Sequence, residues 1–258
     1  MTDRRQRQKE QRAARLEEEK KAASRKEFRR RIIIALGIGL SLVGTLVLTS
    51  LIGNRPESLP ASYRGFREQA TACGAEAPPE LQIMSFPEPE DQGLGEEPVT
   101  ATINTSCGPI VIQLDPVTAP ATVNSFVFLA REGFYDGIPF HRIASDFVVQ
   151  GGDPQASGLG GPGYLVADEF PPEGFTYDEG TVAMANAGSR STGSQFFIVV
   201  GDDARVLNNT FNAFGRVVSG QETLDAIESV PTSVTPGSNE RSRPTQTVYI
   251  EGIEIEGQ

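Results

Sequence analysis

The sequence predicts a mainly β protein: a closed antiparallel β-barrel with two α-helices covering its ends, preceded by one transmembrane helix. Three observations carry this prediction. Many short β-type runs separated by turn residues follow Val99. Only two segments of that part have apolar residues at helical spacing. One long uncharged apolar run lies between a basic N-terminus and an acidic remainder.

The N-terminal charge pattern and the apolar run predict a membrane anchor. Residues 1–31 contain 13 Lys and Arg against six acidic residues, a net charge of +7, whereas the remainder carries −18 within the total of −11. Residues 32–53 hold no charge, and as a helix they would span about 33 Å, enough for a hydrocarbon core of about 30 Å. A cleaved signal peptide is the alternative interpretation of this segment.

The orientation of this anchor follows from the position of the basic residues. Three arginines directly precede residue 32, so the positive-inside rule places the tail over 1–31 in the cytoplasm. We expect a single-pass protein of the cell membrane that contacts lipid through one helix, with all later residues outside the cytoplasm. The segment that follows predicts an extracytoplasmic linker over 54–97, because 54–98 holds seven prolines and nine acidic residues and such composition favours extended chain.

The globular part is predicted over 98–258, and its elements can be assigned in order. VTATINTS and GPIVIQLD form a hairpin that turns near Cys107, and APATVNSFVFLAREGF forms a helix that Gly133 ends. QETLDAIESV is the second helix, and residues 231–245, rich in Pro, Ser and Thr, predict a surface loop. Further strands are predicted in FVVQGG, TVAMANA, SQFFIVVG, NAFGRVV and TVYIEGIEI.

Several classes of function are excluded or disfavoured by composition and motif. One His and two Cys cannot build a closed four-ligand Cys/His zinc site, and we expect neither a metal nor an organic cofactor. The net acidity argues against nucleic acid as a partner. Residues 158–163 match G-x-G-x-x-G, but they follow no clear strand, open no helix and contain Pro162, so they predict a loop rather than a nucleotide site.

Three segments carry a specific resemblance. FHRIASDFVVQGGDP over 140–154, GTVAMANAGSRSTGSQFFIVV over 180–200 and NAFGRVVSGQETLDAIE over 212–228 occur in this order. Together they resemble the cyclophilin family of peptidyl-prolyl cis–trans isomerases, over about 98–258. The resemblance implies an eight-stranded closed barrel with two helices, proline-containing polypeptides as substrates, no cofactor and a monomer.

The chemistry of this reaction indicates which residue type must act. Rotation about an X-Pro bond has a barrier of roughly 18–20 kcal/mol and takes tens to hundreds of seconds without a catalyst. Twisting the amide removes resonance and makes the proline nitrogen a better acceptor, so a fixed cation beside it favours the twisted state over the planar one. Arg142 is the candidate catalytic residue, both by the resemblance and because a guanidinium stays charged and presents rigid donors.

The resemblance also implies a substrate-binding set around Arg142. Two members depart from the family pattern: Val206 stands where the family has a Trp that matters for cyclosporin, and Phe211 stands where it has a His. We therefore expect weak cyclosporin binding and an altered substrate preference. The proline pocket is expected from Phe147, Val148, Phe197, Val206, Leu207 and Phe211, and the polar peptide-binding groups from Gln150, Ala185, Asn186 and Gln195.

Two interpretations of function, and two of the cysteines, stay open at this point. The first function is an anchored isomerase that assists the folding of exported or cell-envelope proteins. The second is a chaperone or interaction module that holds proline-containing segments with little turnover. Outside the cytoplasm Cys73 and Cys107 can form a disulfide, which the sequence favours, and two free thiols are the alternative.

Overall fold

A computed structural model describes residues 61–235 and 237–256. The predicted tail over 1–31, the predicted transmembrane helix over 32–53 and the first residues of the predicted linker lie outside the described residues. In the part of the chain that the structure describes, no helix is long and apolar enough to span a bilayer.

The main sheet has eight strands, and β8 and β9 form a separate pair described below. The eight strands are β1 Val99–Thr105, β2 Gly108–Leu114, β3 Arg142–Ala144, β4 Val148–Gly151, β5 Thr181–Met184, β6 Phe196–Val199, β7 Ala213–Ser219 and β10 Ile250–Glu256. All neighbours are antiparallel, in the order β10-β1-β2-β7-β5-β6-β4-β3. The predicted hairpin is confirmed, because β1 pairs with β2 from Val99 opposite Leu114 to Thr105 opposite Gly108.

The two edges of this sheet, β3 and β10, meet without forming a strand ladder. Instead, residues 137–140 before β3 bond to residues 248–250, through one isolated bridge and three backbone hydrogen bonds of 2.8–2.9 Å. The pairing breaks next to Pro139, because the N–H of Ile138 donates to Tyr135 O at 3.1 Å and the N–H of Gly137 donates to Ile250 O instead. The prediction of a closed barrel is therefore corrected to a curled eight-stranded sheet.

Both predicted helices are confirmed, and a third helix precedes them among the described residues. The helix Pro120–Arg131, which we call α2, has Pro120 in its first turn, where a missing N–H costs nothing. Its next two N–H groups bond to the Glu169 carboxylate at 2.9 Å. It buries Phe126 against Tyr135, Phe196 and Phe214, with ring centroids 5.1–5.7 Å apart. The helices are α1 Ala61–Glu68, α2 Pro120–Arg131 and α3 Gln221–Glu228.

The described part of the predicted linker is packed rather than extended. Tyr63 and Phe66 lie one turn apart on α1 and are 1% and 2% exposed, and Leu81 is also buried. The segment then bonds to the C-terminal part of the chain. The N–H of Thr247 donates to Ala70 O, and the carbonyl oxygen of Thr247 accepts from the N–H of Ala72, both at 2.9 Å. The aromatic pair on α1 overrides the prolines and acids on which the prediction of extended chain rested. We call residues 61–97 the extension.

The extension is also joined covalently to the sheet. Cys73 and Cys107 form a disulfide with Cα atoms 5.2 Å apart, and Cys107 lies in the β1–β2 turn. A second contact lies farther along, where the N–H of Phe86 donates to Pro162 O at 2.8 Å. A Cβ on Gly163 would lie 2.8 Å from the Phe86 carbonyl oxygen, so this approach requires glycine.

The predicted surface loop over 231–245 contains two further strands. β8 Thr232–Val234 and β9 Arg241–Pro244 pair antiparallel, with Ser233 opposite Arg243. The prediction of a surface loop was therefore wrong for these residues. They form a hairpin through backbone hydrogen bonds, and their polar composition gives no sign of it. This β8–β9 hairpin carries charged residues to the site described next.

Candidate active site

Sheet register places three of the predicted site residues in one row. Arg142 on β3 lies opposite Gln150 on β4, which lies opposite Phe197 on β6. Residues directly opposite in neighbouring strands project from the same face, and their neighbours along each strand project from the other. Ile143, Val149 and the residues beside Phe197 fill the core, so the row lies on the face away from it.

A chain of side-chain hydrogen bonds runs along this row. The Nη1 of Arg142 donates to Gln150 Oε1 at 3.2 Å, and the Nε2 of Gln150 donates to Gln195 Oε1 at 3.1 Å. Gln195 in turn donates to Gly160 O at 2.9 Å. The arginine, both glutamines and the 158–163 loop are thereby held as one connected unit.

Arg142 is further held by a carboxylate that the sequence analysis missed. Its Nε donates to Glu240 Oε2 at 2.8 Å and its Nη2 donates to Glu240 Oε1 at 2.6 Å, so the two side chains form a bidentate ion pair. The guanidinium also lies over the Phe147 ring, 5.2 Å from its centroid. A guanidinium has five N–H donors, so with three engaged two remain for a ligand.

The ion pair perturbs Glu240 strongly. Its hydrogen bonds from Arg142 lower the pKa of the Glu240 carboxyl to about 2, and a bond from Ser242 Oγ at 2.6 Å adds to this effect. Glu240 follows β8 in the hairpin, 98 residues beyond Arg142. No local sequence pattern connects two residues so far apart, which is why this partner could not be predicted.

The predicted proline-pocket residues form an apolar cluster beside Arg142. Phe197 and Val148 are buried, and Phe147, Leu207 and Phe211 pack against them with part of each side chain exposed. The rings of Phe197 and Phe211 are 5.5 Å apart and nearly perpendicular.

Phe211 and Val206, the two departures from the family pattern, have different positions. The Tyr177 hydroxyl donates to Phe211 O at 2.7 Å, which fixes the backbone there. Val206 ends the short 3-10 turn Asp202–Val206, is 81% exposed and does not pack with the apolar cluster. The structure therefore brings together the predicted apolar set except Val206.

The predicted polar residues line a cavity of about 520 Å³ that we call the neutral pocket. Its lining is uncharged. Asn186 is oriented by its bond to Thr210 O at 2.7 Å, and the N–H of Ala185 donates to Gln195 O at 2.8 Å. The lining consists of Gln150, Gln155, Ala185, Asn186, Ala187, Ser191, Gly193, Gln195 and the loop 158–165.

Comparisons with known proteins decide the family. A model described as "Cyclophilin type peptidyl-prolyl cis-trans isomerase/CLD" matches residues 100–255. The chain belongs to this family. It is an isomerase of the cyclophilin type, and proline-containing polypeptides are its substrates.

Relatives and solved structures agree with this assignment. The chain is 42% identical to peptidyl-prolyl cis-trans isomerase A of Mycobacterium tuberculosis, over 60% of this chain and 91% of that protein. It is 42% identical to peptidyl-prolyl cis-trans isomerase B of Streptomyces anulatus, over 62% and 98%. A crystal structure of a Cryptosporidium parvum cyclophilin matches with a TM-score of 0.56 and 30% identity, over 63% of this chain and 99% of that one.

This cyclophilin has a second cavity of about 410 Å³, which shares Gln150 and Gly158 with the neutral pocket and which we call the charged pocket. One of its walls is the extension helix α1, which precedes the residues matched by the family model. The β8–β9 hairpin forms another wall. The lining consists of Ser62, Phe66, His141, Arg142, Gln150, Ala156, Ser157, Gly158, Thr235, Glu240, Ser242 and Arg243.

A buried carboxylate shapes the segment between the two pockets of the cyclophilin. Asp153 is fully buried, and it accepts backbone N–H bonds from Gln155, Ser157 and Gly158 at 2.5–2.9 Å. These bonds fix the turn that contributes Gly158 to both linings. Asp153 thus positions one edge of each pocket without entering the site.

Proposed function

We propose that Arg142 catalyses X-Pro isomerisation in this cyclophilin by stabilising the twisted amide. The observation that carries the proposal is the pose of the guanidinium, held over Phe147 by Glu240 and Gln150 with two donors left over. A proline ring seated on the apolar cluster would bring its nitrogen beside these donors. Stabilisation that is stronger in the twisted state than in the planar state raises kcat.

The proposed reaction needs no proton transfer and no covalent intermediate. The apolar cluster receives the proline ring, which removes water from around the amide. The neutral pocket holds the chain on one side of the proline through the amide groups of Asn186 and Gln195. A peptide held at both ends can then rotate about the one bond between them. A Cryptosporidium parvum relative was crystallised in the presence of the dipeptide Ala-Pro, which agrees with a small proline-centred recognition unit.

We also propose that the isomerase domain acts outside the cytoplasm on exported or cell-envelope proteins. Three features support this proposal: the +7 tail over 1–31, the uncharged run over 32–53, and a disulfide that requires an oxidising compartment. Slow X-Pro bonds limit the folding of exported chains just as they limit the folding of other chains. The anchor would keep the enzyme where such chains emerge from the membrane.

A second candidate function is favoured by one observation. Arg142 is already paired with Glu240, and a protein that holds proline segments without turning them over would have this restrained guanidinium. Both functions would use the same apolar cluster and neutral pocket, and they differ in the rate of cis–trans isomerisation.

The test uses the full-length chain purified in mild detergent. Exchange spectroscopy on an X-Pro peptide measures the cis–trans rate, and calorimetry on the same samples measures the Kd. An isomerase accelerates exchange at catalytic concentrations, whereas a holding module binds the peptide and leaves the exchange rate unchanged. For the location, protease added outside intact cells should remove the domain and leave the tail and the anchor over 1–53. A mature protein lacking residues 1–53 by mass would overturn the anchor.

A further inference from the structure

We propose that the charged pocket is a substrate subsite that selects a carboxylate-bearing residue close to the isomerised proline. This inference deepens the proposed function and rests on it. The pocket shares Arg142 and Gln150 with the catalytic row, so a peptide that crosses the row has access to the pocket. Its other walls come from the extension and the β8–β9 hairpin.

The sign of the charge on the expected ligand follows from the charged residues in the lining. Arg142 and Glu240 neutralise each other through their two-pronged pair. Burial lowers the pKa of His141, an effect that the Asp153 carboxylate only partly opposes, so the imidazole is neutral at pH 7. Arg243 then remains as the charged side chain of this lining without a paired carboxylate among the described residues. A carboxylate is the group that compensates it.

Arg243 is placed to receive such a group. Its guanidinium lies over the Phe66 ring, 5.7 Å from the centroid, which orients the plane and leaves the N–H edges for a ligand. Within residues 61–235 and 237–256, no carboxylate lies within 4.0 Å of it. Arg142 and Arg205, by contrast, each have a carboxylate partner.

The surroundings of Arg243 are rigid enough to discriminate between ligands. Phe66 is 2% exposed and belongs to the core, so its ring is fixed. The hydroxyl of Ser62 on the same helix donates to the carbonyl oxygen of Gln155, a residue that also lines the neutral pocket. This bond connects α1 to the turn that Asp153 holds. Ser233 lies opposite Arg243 on β8 and donates to its carbonyl oxygen at 3.3 Å, which supports the backbone on the other side.

The test compares matched peptide pairs on the full-length chain in mild detergent. Each pair carries Glu or Gln at one of the two positions before the proline or one of the two positions after it, and kcat/KM is measured by exchange spectroscopy. We expect the wild-type chain to prefer Glu over Gln at one position by about fivefold, the size of one partly buried ion pair. Arg243→Gln should bring that ratio close to one, and Arg243→Lys should retain part of it.

The Glu/Gln ratio of kcat/KM also defines the control variant and the result that would contradict the proposal. Arg131→Gln removes one positive charge at the end of α2, where it bonds to Gln92 outside both substrate pockets, and should leave the Glu/Gln ratio unchanged. Equal ratios in wild type and Arg243→Gln at all four positions would overturn the subsite. If no peptide is isomerised, the proposed function fails separately, and the Glu/Gln ratio of Kd values from calorimetry still tests the subsite.

Discussion

The two pockets that flank Gln150 differ in charge and in origin. The neutral pocket is lined by amides, glycines and other uncharged residues, all of them within the residues that the family model matches. The charged pocket holds two arginines and a glutamate, and part of its wall comes from the extension before that match. The catalytic row is thus set by the register of the common sheet, while selectivity beside it depends on segments added to the sheet.

Phe197→Ala should have the largest effect on the free energy of unfolding, because this buried side chain belongs to the apolar cluster beside Arg142. It is 4% exposed and contacts the rings of Tyr177 and Phe211. We expect the free energy of unfolding to fall by about 3–5 kcal/mol, as for other buried Phe truncations. Urea unfolding followed by circular dichroism measures this change. Phe197→Leu should lose less than half as much, and equal losses in the two variants would contradict this packing role.

Removal of the disulfide tests whether the extension belongs to the folded unit. The bridge joins residues 34 apart, and its loss in a Cys73→Ser, Cys107→Ser variant should lower the free energy of unfolding by about 2–4 kcal/mol. Wild type in reductant serves as the matched comparison and should behave like the variant. An unchanged unfolding midpoint in both would mean that the extension is held without the bridge.

Glu240→Gln tests whether the charged side of the site serves the catalytic row. The amide cannot accept from both Arg142 nitrogens, so the guanidinium loses its fixed pose. We expect kcat to fall by about tenfold while KM changes by less than about threefold, which is a loss of about 1.4 kcal/mol of barrier lowering. Glu254→Gln removes an exposed carboxylate that bonds to Asn104, and it is the control that should keep wild-type kcat. A rise in kcat would instead identify Glu240 as a restraint on Arg142.

The pH dependence of the same pair has a defined sign. The pKa of Glu240 is lowered to about 2 in the folded chain, mainly by Arg142, so its stabilising effect is complete above its unfolded pKa of about 4.5. That effect is lost as the pH falls from about 4.5 towards 2. We therefore expect kcat/KM to vary by less than about twofold between about pH 6 and 8. A bell-shaped profile in this range would show that a titrating group takes part.

Much of the site could be predicted from the sequence because three segments resemble the cyclophilin family, and that resemblance implies the residues of the site. The chemistry of amide rotation independently favours an arginine as the catalytic residue. The short β-type runs FVVQGG and SQFFIVVG predict the strands of Gln150 and Phe197, and the sheet register places Arg142 beside them. The predicted hairpin and the two predicted helices follow from local sequence pattern.

The remaining features depend on contacts between distant segments, for which one sequence carries no signal. Glu240 reaches Arg142 only because a polar stretch pairs as the β8–β9 hairpin. The extension contains many prolines and acids, yet Tyr63 and Phe66 suffice to bury α1. Closure of the sheet depends on the seam, where Ile138 bonds to Tyr135 in a turn and leaves Ile250 O to Gly137. In each case long-range packing overrides composition.

The most direct test of the central claim compares rate and affinity in Arg142→Ala. The full-length chain in mild detergent is titrated with an X-Pro peptide by calorimetry, and exchange spectroscopy measures cis–trans turnover in the same samples. The account predicts that kcat/KM falls by about 100-fold or more, a loss of about 2.7 kcal/mol, while the Kd rises by less than about tenfold. An unchanged rate, or a rate loss fully matched by the change in Kd, would contradict a guanidinium that stabilises the twisted amide.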